Sequence, residues 1–490
     1  MKKILFFVFI ITGTFSYSQT QIGSDINGES IGDKAGFSVS LSGDGTILAI
    51  GETGNDENGL DSGKIRVFQY NGTNWIQIGS DIYGDTSDQA GSPLSINYDG
   101  NILGVSYSWS NIYGQRTGYV RVFQYDGTNW VQIGSDIIGE STNNFLASSM
   151  SLNNDGTIIA LGSINNDGIN GVSSGHVRIF QYNGTNWIQI GSDIDGEASD
   201  DASGRSVSLS SDGSIVAIGA WANDDNGMTS GHVRVFKYNV TNWEQIGSDI
   251  DGEASFDQFG VANSLSSDGT ILAIGGNLNN GGGPNSGHVR VFNYNGTDWI
   301  QIGSSIQGEA SFDESASSIN LSSDGSILAV NGQGNDGNGE NSGHVRIFKY
   351  NNTDWVQVGV DIDGNSEGDA FGLSISLSSD GSIIGIGAPF NDSNGENSGQ
   401  VKVYDLNAVL SSNSFKIYEF KIYPNPTKDQ FTIQLQEGII LKKASIYNQL
   451  GQFIYSTNTS IVNTKNLSRG IYFLEVITNK GKSTKKLIIE

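Results

Sequence analysis

The sequence predicts an all-β protein, with a seven-bladed β-propeller of four-stranded blades ahead of a small C-terminal β-sandwich. Three observations carry this prediction. A segment of about 56 residues occurs seven times, and its opening phrase begins at residues 21, 77, 132, 189, 245, 301 and 357. Each copy contains four strand-like stretches. A basic segment with a different strand pattern follows the last copy. A fixed period in this range is typical of propellers and solenoids.

The four strands can be assigned in the copy that runs from Gln189 to Trp243 and into the next opening phrase. Residues 206–210, 215–218, 232–238 and 243–246 are rich in β-branched and aromatic side chains. Asp-Gly and Asn-Gly turns join the first strand to the second and the third to the fourth, and such dipeptides are strong hairpin signals. Longer polar loops make the other two connections. No part of the repeats has a sustained helical period.

The two ends of the repeat array predict how the ring closes. The array begins with a fourth-strand phrase, Gln21–Ile26, and stops after a third strand, Val401–Tyr404. We therefore expect the N-terminal strand to complete the last blade. That pairing would remove two free sheet edges.

Short motifs in the last copy resemble a known repeat family. Phe371-Gly372, Gly387-Ala388-Pro389 and Gly399-Gln400-Val401 resemble an FG-GAP repeat of the integrin α-subunit propeller. The Ser-Ser-Asp-Gly hairpins and His-Val-Arg-Val-Phe strands also resemble WD repeats, at a longer period. The resemblance implies the fold and leaves the function open, because propellers host many functions. In the integrin family calcium binds between the first two strands; here that connection is only a short turn, so that site is not carried over.

The N-terminus and the composition indicate export. Lys2 and Lys3 precede an apolar run over residues 4–11, so residues 1–18 are predicted to be a signal peptide cleaved before Gln19. The run is too short for a membrane span, and no other stretch could cross a membrane as a helix. Cysteine is absent, which excludes disulfides, cysteine-zinc sites and a lipoprotein anchor.

The charge changes sharply near the C-terminus. Residues 416–490 carry 11 Lys or Arg and 5 Asp or Glu, whereas the rest of the chain carries 15 and 47. We predict a propeller over residues 19–407, a Ser/Asn-rich linker over 408–416 and a second domain over 417–490. Strands are expected in that domain at residues 431–435, 444–447, 453–455 and 471–476.

Linked motifs identify the second domain. Ile422–Thr427, Asn448–Gln452, Arg469–Tyr472 and Lys485–Ile489 resemble, in this order, the type A sorting domain of the type IX secretion system. The resemblance implies export through the outer membrane of a Bacteroidota-type bacterium, with the type IX machinery as partner. It also implies removal of the domain, then release or attachment to a surface glycolipid. The residues expected to carry the sorting signal are Tyr423, Pro424, Asn425, Pro426, Gly451, Gly470, Tyr472, Lys485 and Lys486.

The loops between the second and third strands are candidate calcium sites. Most follow an Asn-Asp-x-Asn-Gly pattern, and oxygen-rich, glycine-turned loops suit Ca²⁺. The alternative is that these residues are present because they form Asx turns, and no copy has the complete EF-hand pattern. The candidate ligands are Asp56, Asn58, Asp224, Asn226, Asp336, Asn338, Asp392 and Asn394.

Aromatic residues near these loops are candidate ligand-binding groups. Trp109 and Tyr113 in the second copy and Trp221 in the fourth could stack on sugars, or they could fill gaps between blades. The net charge of −26 makes nucleic acid an unexpected ligand, since phosphate binding requires positive charge. A glycan or a surface protein remains the expected partner.

Residues that recur once per copy favour a structural role over catalysis. All four histidines, at 176, 232, 288 and 344, begin the third strand of their copies. An Arg or Lys two residues later also recurs, and we expect it to be paired.

The sequence thus favours an exported binding or adhesion module that uses its acidic long-loop face. A polysaccharide hydrolase or lyase, which needs only one suitable carboxylate pair, and a structural envelope protein are the alternatives.

Overall fold

The computed structural model describes residues 19–411, 420–435, 440–449, 452–465, 467–478 and 482–490. The predicted signal peptide, most of the predicted linker and Gly451 lie outside these residues. The chain divides between residues 411 and 412 into two compact units. No helix among the described residues is long and apolar enough to cross a membrane.

The first unit confirms the predicted repeat: it consists of seven antiparallel sheets, or blades. Each has strands a, b and c in sequence order and an outer strand in two short pieces, d and d′, that both pair with c. Blade 1 comprises Ala35–Leu41, Ile47–Glu52, Lys64–Tyr70, Trp75–Gln77 and Ile82–Tyr83. Blade 2 comprises Leu94–Ile96, Ile102–Tyr107, Tyr119–Tyr125, Trp130–Gln132 and Ile137–Ile138. Blade 3 comprises Ser149–Leu152, Ile158–Ser163, His176–Tyr182, Trp187–Gln189 and Ile194–Asp195. Blade 4 comprises Ser206–Leu209, Ile215–Ala220, His232–Tyr238, Trp243–Gln245 and Ile250–Asp251.

The remaining blades follow the same plan. Blade 5 comprises Phe259–Leu265, Ile271–Gly276, His288–Tyr294, Trp299–Gln301 and Ile306–Gln307. Blade 6 comprises Ser315–Leu321, Ile327–Gly332, His344–Tyr350, Trp355–Gln357 and Ile362–Asp363. Blade 7 comprises Ser374–Leu377, Ile383–Ala388, Gln400–Asp405, Thr20–Gln21 and Ile26–Asn27. A helical turn, Asn407–Ser411, follows, and its Val409 is buried against the core of blades 6 and 7.

The N-terminal strand completes the last blade, as its sequence predicts. Thr20 and Gln21 pair with Asp405 and Tyr404, and the Ile22 amide donates to the Val403 carbonyl at 2.9 Å. The first blade also contacts the last, because the Leu41 amide donates to Ser376 Oγ at 2.9 Å.

Hydrogen bonds of this last kind link every blade to its neighbour around the axis. A side-chain oxygen on strand a of one blade accepts the backbone N–H of a residue on strand a of the next. The acceptors are Ser40, Ser95, Ser151, Ser208, Ser264, Asn320 and Ser376. The repeated serines of the first strand therefore hold the ring together where the blades are closest.

Apolar clusters fill the spaces between blades, and a tryptophan closes six of the seven at the outer edge. Trp243 of blade 4 is buried in a cluster shared with blade 3, and its indole N–H donates to the Ile190 carbonyl of blade 3 at 3.0 Å. Equivalent bonds are made by Trp75, Trp130, Trp187, Trp299 and Trp355.

The second unit has the two sheets expected of a small sandwich. One sheet contains Lys421–Tyr423, Gln430–Gln434 and Ile461–Asn463. The other contains Leu441–Tyr447, Phe453–Thr457, Gly470–Thr478 and Lys482–Ile489. Phe431 and Ile433 from the first sheet and Ile446, Leu474 and Leu487 from the second share one buried core.

Candidate functional site

The long b–c and d′–a loops lie together at one end of the blades, because the strands of each blade run up and down. The b–c loop of blade 4 spans residues 221–231, and the d′–a loop that leads from blade 4 to strand a of blade 5 spans residues 252–258. We call this end the long-loop face. Loops that a rigid scaffold holds in place often carry the binding residues of a protein.

The aspartates predicted as calcium ligands are exposed and hold their own loops closed. Asp56 Oδ1 accepts the backbone N–H of Asp61 at 2.7 Å, five residues further along the loop. The same bond is made by Asp224, Asp336 and Asp392. An Asx-type bond of this kind accounts for the recurring Asn-Asp pattern without an ion.

The paired asparagines tie each loop to its neighbour. Asn226 Nδ2 donates to the Gly252 carbonyl of the following d′–a loop at 2.7 Å. Asn58, Asn338 and Asn394 make the same bond to Gly84, Gly364 and Gly28. Calcium binding by these eight residues stays a prediction.

The d′–a loops contain a buried acid that is used internally. Asp257 is 1% exposed, and its Oδ2 accepts the backbone N–H groups of Glu253 and Ala254 at 3.2 and 3.0 Å. Asp369 is equally buried and accepts the N–H of Ser366. These two acids shape the loops and do not face solvent.

Trp109 and Tyr113 form an aromatic patch on blade 2. Trp109 is 39% exposed, lies edge-on to Phe145 at 5.1 Å and is covered by the Arg116 guanidinium at 5.0 Å. The Tyr113 hydroxyl donates to Asp136 at 2.9 Å. Both rings retain open surface, although each already has protein partners.

A polar cavity of about 790 Å³ lies on the propeller axis. Strand a of every blade contributes to its wall, mostly through serine side chains. At the long-loop end the wall includes Arg205, Trp221, Gln258, Asn277 and Gln333 from blades 4, 5 and 6. Hydroxyl, amide and indole groups around a deep opening are the groups that bind sugars by hydrogen bonding and stacking.

Several buried polar atoms at this end have no hydrogen-bond partner. They are Trp221 Nε1, Asn263 Oδ1 and Asn277 Oδ1. A buried donor or acceptor left unpaired costs about 1–3 kcal/mol, so a native protein rarely leaves several together. Trp221 lines the cavity on the axis, whereas Trp109 belongs to the separate aromatic patch on blade 2.

Arg205 is the cation of this cavity. Its side chain faces the opening from the start of strand a, and its guanidinium has no ion pair or hydrogen bond among the described residues. Burial lowers the pKa of Arg205, but a guanidinium remains protonated in proteins. The same position in the other blades holds Phe37, Ser92, Ser148, Val261, Ser317 and Leu373. Sequence reasoning missed Arg205; a position-by-position comparison of the seven copies would have found it.

The recurring arginine of strand c is paired, as expected. Arg234 donates to the Asp195 carbonyl of the preceding blade at 2.7 Å and lies 3.3 Å from Glu197. Its guanidinium also lies over the Phe236 ring at 5.4 Å. Arg66, Arg178, Arg290 and Arg346 repeat the carbonyl bond.

Three of the four histidines adjoin acids that could hold a metal ion with them. The groups are Glu140, His176 and Asp193; Glu197, Asp225, His232 and Asp249; and Glu309, His344 and Asp361. Burial lowers the pKa of all four histidines, and that of His176 and His288 falls to about 4. The imidazoles are therefore neutral at neutral pH and keep a lone pair for a ligand. None of the residues in these groups belongs to the predicted calcium set.

The sorting-signal residues build one edge of the second unit. Asn425 accepts the Ile488 amide at 2.9 Å and donates to the Lys486 carbonyl at 2.9 Å. The Tyr472 hydroxyl donates to the Ser468 carbonyl, and the Lys485 ammonium lies over the Phe420 ring at 5.6 Å. The proline motif and the terminal strand are thus fastened to each other, while Tyr423 is 70% exposed.

Comparison with known families identifies the class of protein. Residues 193–236 match the FG-GAP repeat, and residues 421–490 match the secretion system C-terminal sorting domain. The chain is therefore a β-propeller that contains an FG-GAP repeat and carries a C-terminal sorting domain. It is cargo of the type IX secretion system, which exports it to the cell surface or the surrounding medium.

Similarities to individual proteins are partial. Ulvan lyase NLR42 from Nonlabens ulvanivorans is 38% identical over 79 residues, which make up 15% of this chain and 15% of that protein. A candidate 6-phosphogluconolactonase from Bacteroides uniformis has a TM-score of 0.47 at 14% identity, covering 67% of this chain and 85% of the other. The periplasmic gluconolactonase PpgL of Pseudomonas aeruginosa has a TM-score of 0.43 at 16% identity, with the same coverage. At these scores the two structures carry no argument about function.

Proposed function

We propose that this exported propeller binds an extracellular polysaccharide, with an acidic sugar seated in the cavity on its axis. The observation that carries the proposal is the unpaired Arg205 guanidinium beside Trp221, in a cavity otherwise lined by hydroxyl and amide groups. A carboxylate or sulfate on the sugar would pair with Arg205, and the ring would stack on Trp221. Asn277 would supply an acceptor for a sugar hydroxyl.

Two features support a single cavity site over equal sites on every blade. Arg205 and Trp221 flank the pair of Ser206 and Gly219 in blade 4, so they lie side by side at the end of strands a and b. No other blade carries this combination at those positions. The protein has a net charge of −26, so its surface as a whole repels anions. The positive charge of Arg205 would therefore make the cavity a place where an anionic group can bind.

The test is binding of the purified full chain to a panel of acidic and neutral polysaccharides, with Ca²⁺ and with chelator. We expect Arg205→Gln to weaken binding of acidic polysaccharides about tenfold or more, because a charge-assisted hydrogen bond is lost, and Trp221→Ala to weaken it similarly. Trp109→Ala is the matched control on the exposed patch and should leave binding unchanged. Thermal unfolding of each variant reports whether the fold is intact.

The outcomes separate the alternatives. Binding that depends on Trp109 and not on Arg205 or Trp221 would overturn the cavity site and favour the blade 2 loops. Loss of binding in chelator alone would favour the calcium loops. Binding to none of the polysaccharides would contradict the proposal and favour a protein partner.

A second candidate is cleavage of such a polysaccharide, which the partial match to an ulvan lyase favours. Incubation of the full chain with acidic polysaccharides should then produce shortened or unsaturated chains. That product must disappear in Arg205→Gln for the cavity to be the active site.

A further inference from the structure

In each blade, strand c begins at the long-loop end. We call the position of its first residue the strand-c slot. Its occupants in blades 1 to 7 are Lys64, Tyr119, His176, His232, His288, His344 and Gln400. All seven are buried. The acids around the slot vary from blade to blade, which makes the repeats a set of natural variants of one site.

Blade 4 has the most complete site. His232 is 0% exposed, and neither of its ring nitrogens has a hydrogen-bond partner in the part of the chain that the structure describes. His232 Nδ1 faces Asp225 Oδ2 at 3.9 Å and Glu197 Oε2 at 4.0 Å, distances too long for a hydrogen bond. Asp249 completes a group whose ligand atoms all lie within 4.8 Å of one another. A buried histidine nitrogen thus lies close to three carboxylate oxygens without hydrogen-bonding to any of them.

Two of the three carboxylates, those of Asp249 and Glu197, are each held through one oxygen, so the other oxygen remains for a ligand. Gln245 Nε2 donates to Asp249 Oδ1 at 2.6 Å, and Arg234 lies 3.3 Å from the other oxygen of Glu197. Glu197 and Asp225 are partly exposed, at 40% and 60%. Three acids around a buried neutral ring would repel one another unless a cation lies between them.

Blade 1 places such a cation in the same position with its own side chain. Lys64 occupies the slot, and its ammonium lies 2.6 Å from Glu29 and 3.1 Å from Glu57. Glu29 corresponds to Glu197, because both follow the glycine of the d′–a loop. Glu57 corresponds to Asp225, because the backbone N–H of each donates to the asparagine two residues earlier. The acids that surround the histidine in blade 4 therefore surround a positive charge in blade 1.

The other blades fill or dismantle the site. In blade 2 the acid Asp136 is paired with Arg121 at 3.1 Å, and in blade 7 Gln400 donates to Asn27 at 2.9 Å. Blade 5 keeps His288 but has Ser305 where blade 4 has Asp249, and Gly281 where it has Asp225. Blades 3 and 6 keep the histidine and two acids each.

We infer that His232, Glu197, Asp225 and Asp249 form a binding site for one divalent transition-metal ion of the Zn²⁺ type, with three-ligand versions at His176 and His344. A histidine nitrogen with carboxylate oxygens is a ligand set of zinc, whereas calcium takes oxygen ligands. Ligands about 2.0–2.1 Å from a tetrahedral zinc are separated by roughly 3.3 Å. The ligand atoms lie 3.9–4.0 Å from His232 Nδ1 and within 4.8 Å of one another. Reaching the separation in a zinc site therefore requires movements of up to about 1.5 Å, which the exposed Glu197 and Asp225 side chains can make.

The experiment uses the full chain, freed of metal with a chelator and then titrated with Zn²⁺ against a chromophoric chelator. We expect zinc to be withdrawn from the chelator, and His232→Gln to remove at least the tightest site. Glutamine is chosen because blade 7 already holds it in the slot. Co²⁺ in place of zinc should give visible absorption bands from a nitrogen-containing site, and these bands should lose the contribution of the tightest site in His232→Gln.

Two further variants keep the test decisive. His288→Gln makes the same change in blade 5, which lacks two of the three acids, and it should leave the amount of bound zinc unchanged. His232→Lys copies blade 1 and should abolish zinc uptake at the blade 4 site while the unfolding temperature without metal is kept or raised. Zinc uptake that is equal in the wild type and His232→Gln, or no competition with the chelator at all, would overturn the inference.

Discussion

His288 shows what a single buried residue costs the fold. It is 0% exposed, and both ring nitrogens lack a hydrogen-bond partner. Burial, and to a lesser degree the Arg290 guanidinium, lowers its pKa from 6.5 to about 4. Because the site disfavours the charged ring, the unfolded chain takes up a proton at a higher pH than the folded chain does.

The sign of the pH dependence follows from that difference. The stability that a neutral His288 allows is complete above about pH 6.5 and is lost as the pH falls towards 4. We predict that His288→Gln reduces the acid-induced loss of unfolding free energy over this window by up to about 3 kcal/mol. Urea unfolding at several pH values, in chelator, measures it. An unchanged slope in the variant would mean that His288 is protonated in the folded state.

Arg205 shows what residue-level reading of the sequence could miss. Its neighbours in the linear sequence are those of an ordinary strand, so nothing in the pattern of blade 4 sets it apart. Only closure of the ring directs this position into a cavity shared by all seven blades. Trp221 was predicted as a ligand-binding residue, but its place in the same wall as Arg205 depends on the same closure.

At the scale of the element, the sequence pattern does not show that the outer strand of each blade is divided into two pieces. The phrase Gln-Ile-Gly-Ser-Asp-Ile looks like the end of one strand, yet pieces d and d′ pair with strand c on either side of a kink. Gly191 makes the kink at φ +71°, and a Cβ there would lie 2.6 Å from Trp243 Cδ1 of the next blade. The kink thus lets the tryptophan of one blade pack against the outer strand of its neighbour.

This packing predicts a difference between two glycine substitutions in blade 3. Gly184, in the c–d turn, also has a positive φ, but a Cβ there would meet nothing within 4 Å. Gly184→Ala should cost about 1–2 kcal/mol for backbone strain alone. Gly191→Ala should cost roughly 1–3 kcal/mol more, because Trp243 must move as well. Chemical denaturation of the two variants makes the comparison, and equal losses would contradict the role assigned to the contact.

At the scale of the whole molecule, the ring is closed by a few residues from the N-terminus. Residues 20–22 pair with strand c of blade 7, and Ile26 is buried in the core between blades 7 and 1. Loss of this pairing would expose the edge of strand c in blade 7, and an exposed edge promotes association with other chains.

We therefore predict that Ile22→Pro lowers the unfolding temperature and increases aggregation on heating. Proline removes the N–H that donates to Val403, and it leaves the rest of the strand in place. Differential scanning calorimetry with light scattering measures both effects. Ser24→Pro, two residues on and outside both strand pieces, is a control for proline in this segment, although it also removes the bond to the exposed Asn74. Equal behaviour of the two variants would show that closure does not depend on the Ile22 bond.

The seven blades, their strand order, the strand that closes the ring and the export class could all be predicted from the sequence. Each of these depends on local patterns that recur at a fixed spacing or on linked motifs, and a local pattern can be read without knowing what lies opposite it. Which polar residues come together depends on the folded structure. The predicted calcium ligands make hydrogen bonds within and between their loops, Arg205 lies with Trp221 in the wall of the axial cavity, and Glu197, Asp225 and Asp249 surround His232. The members of those groups come from separate loops and strands, and their distances exist only once the blades are packed.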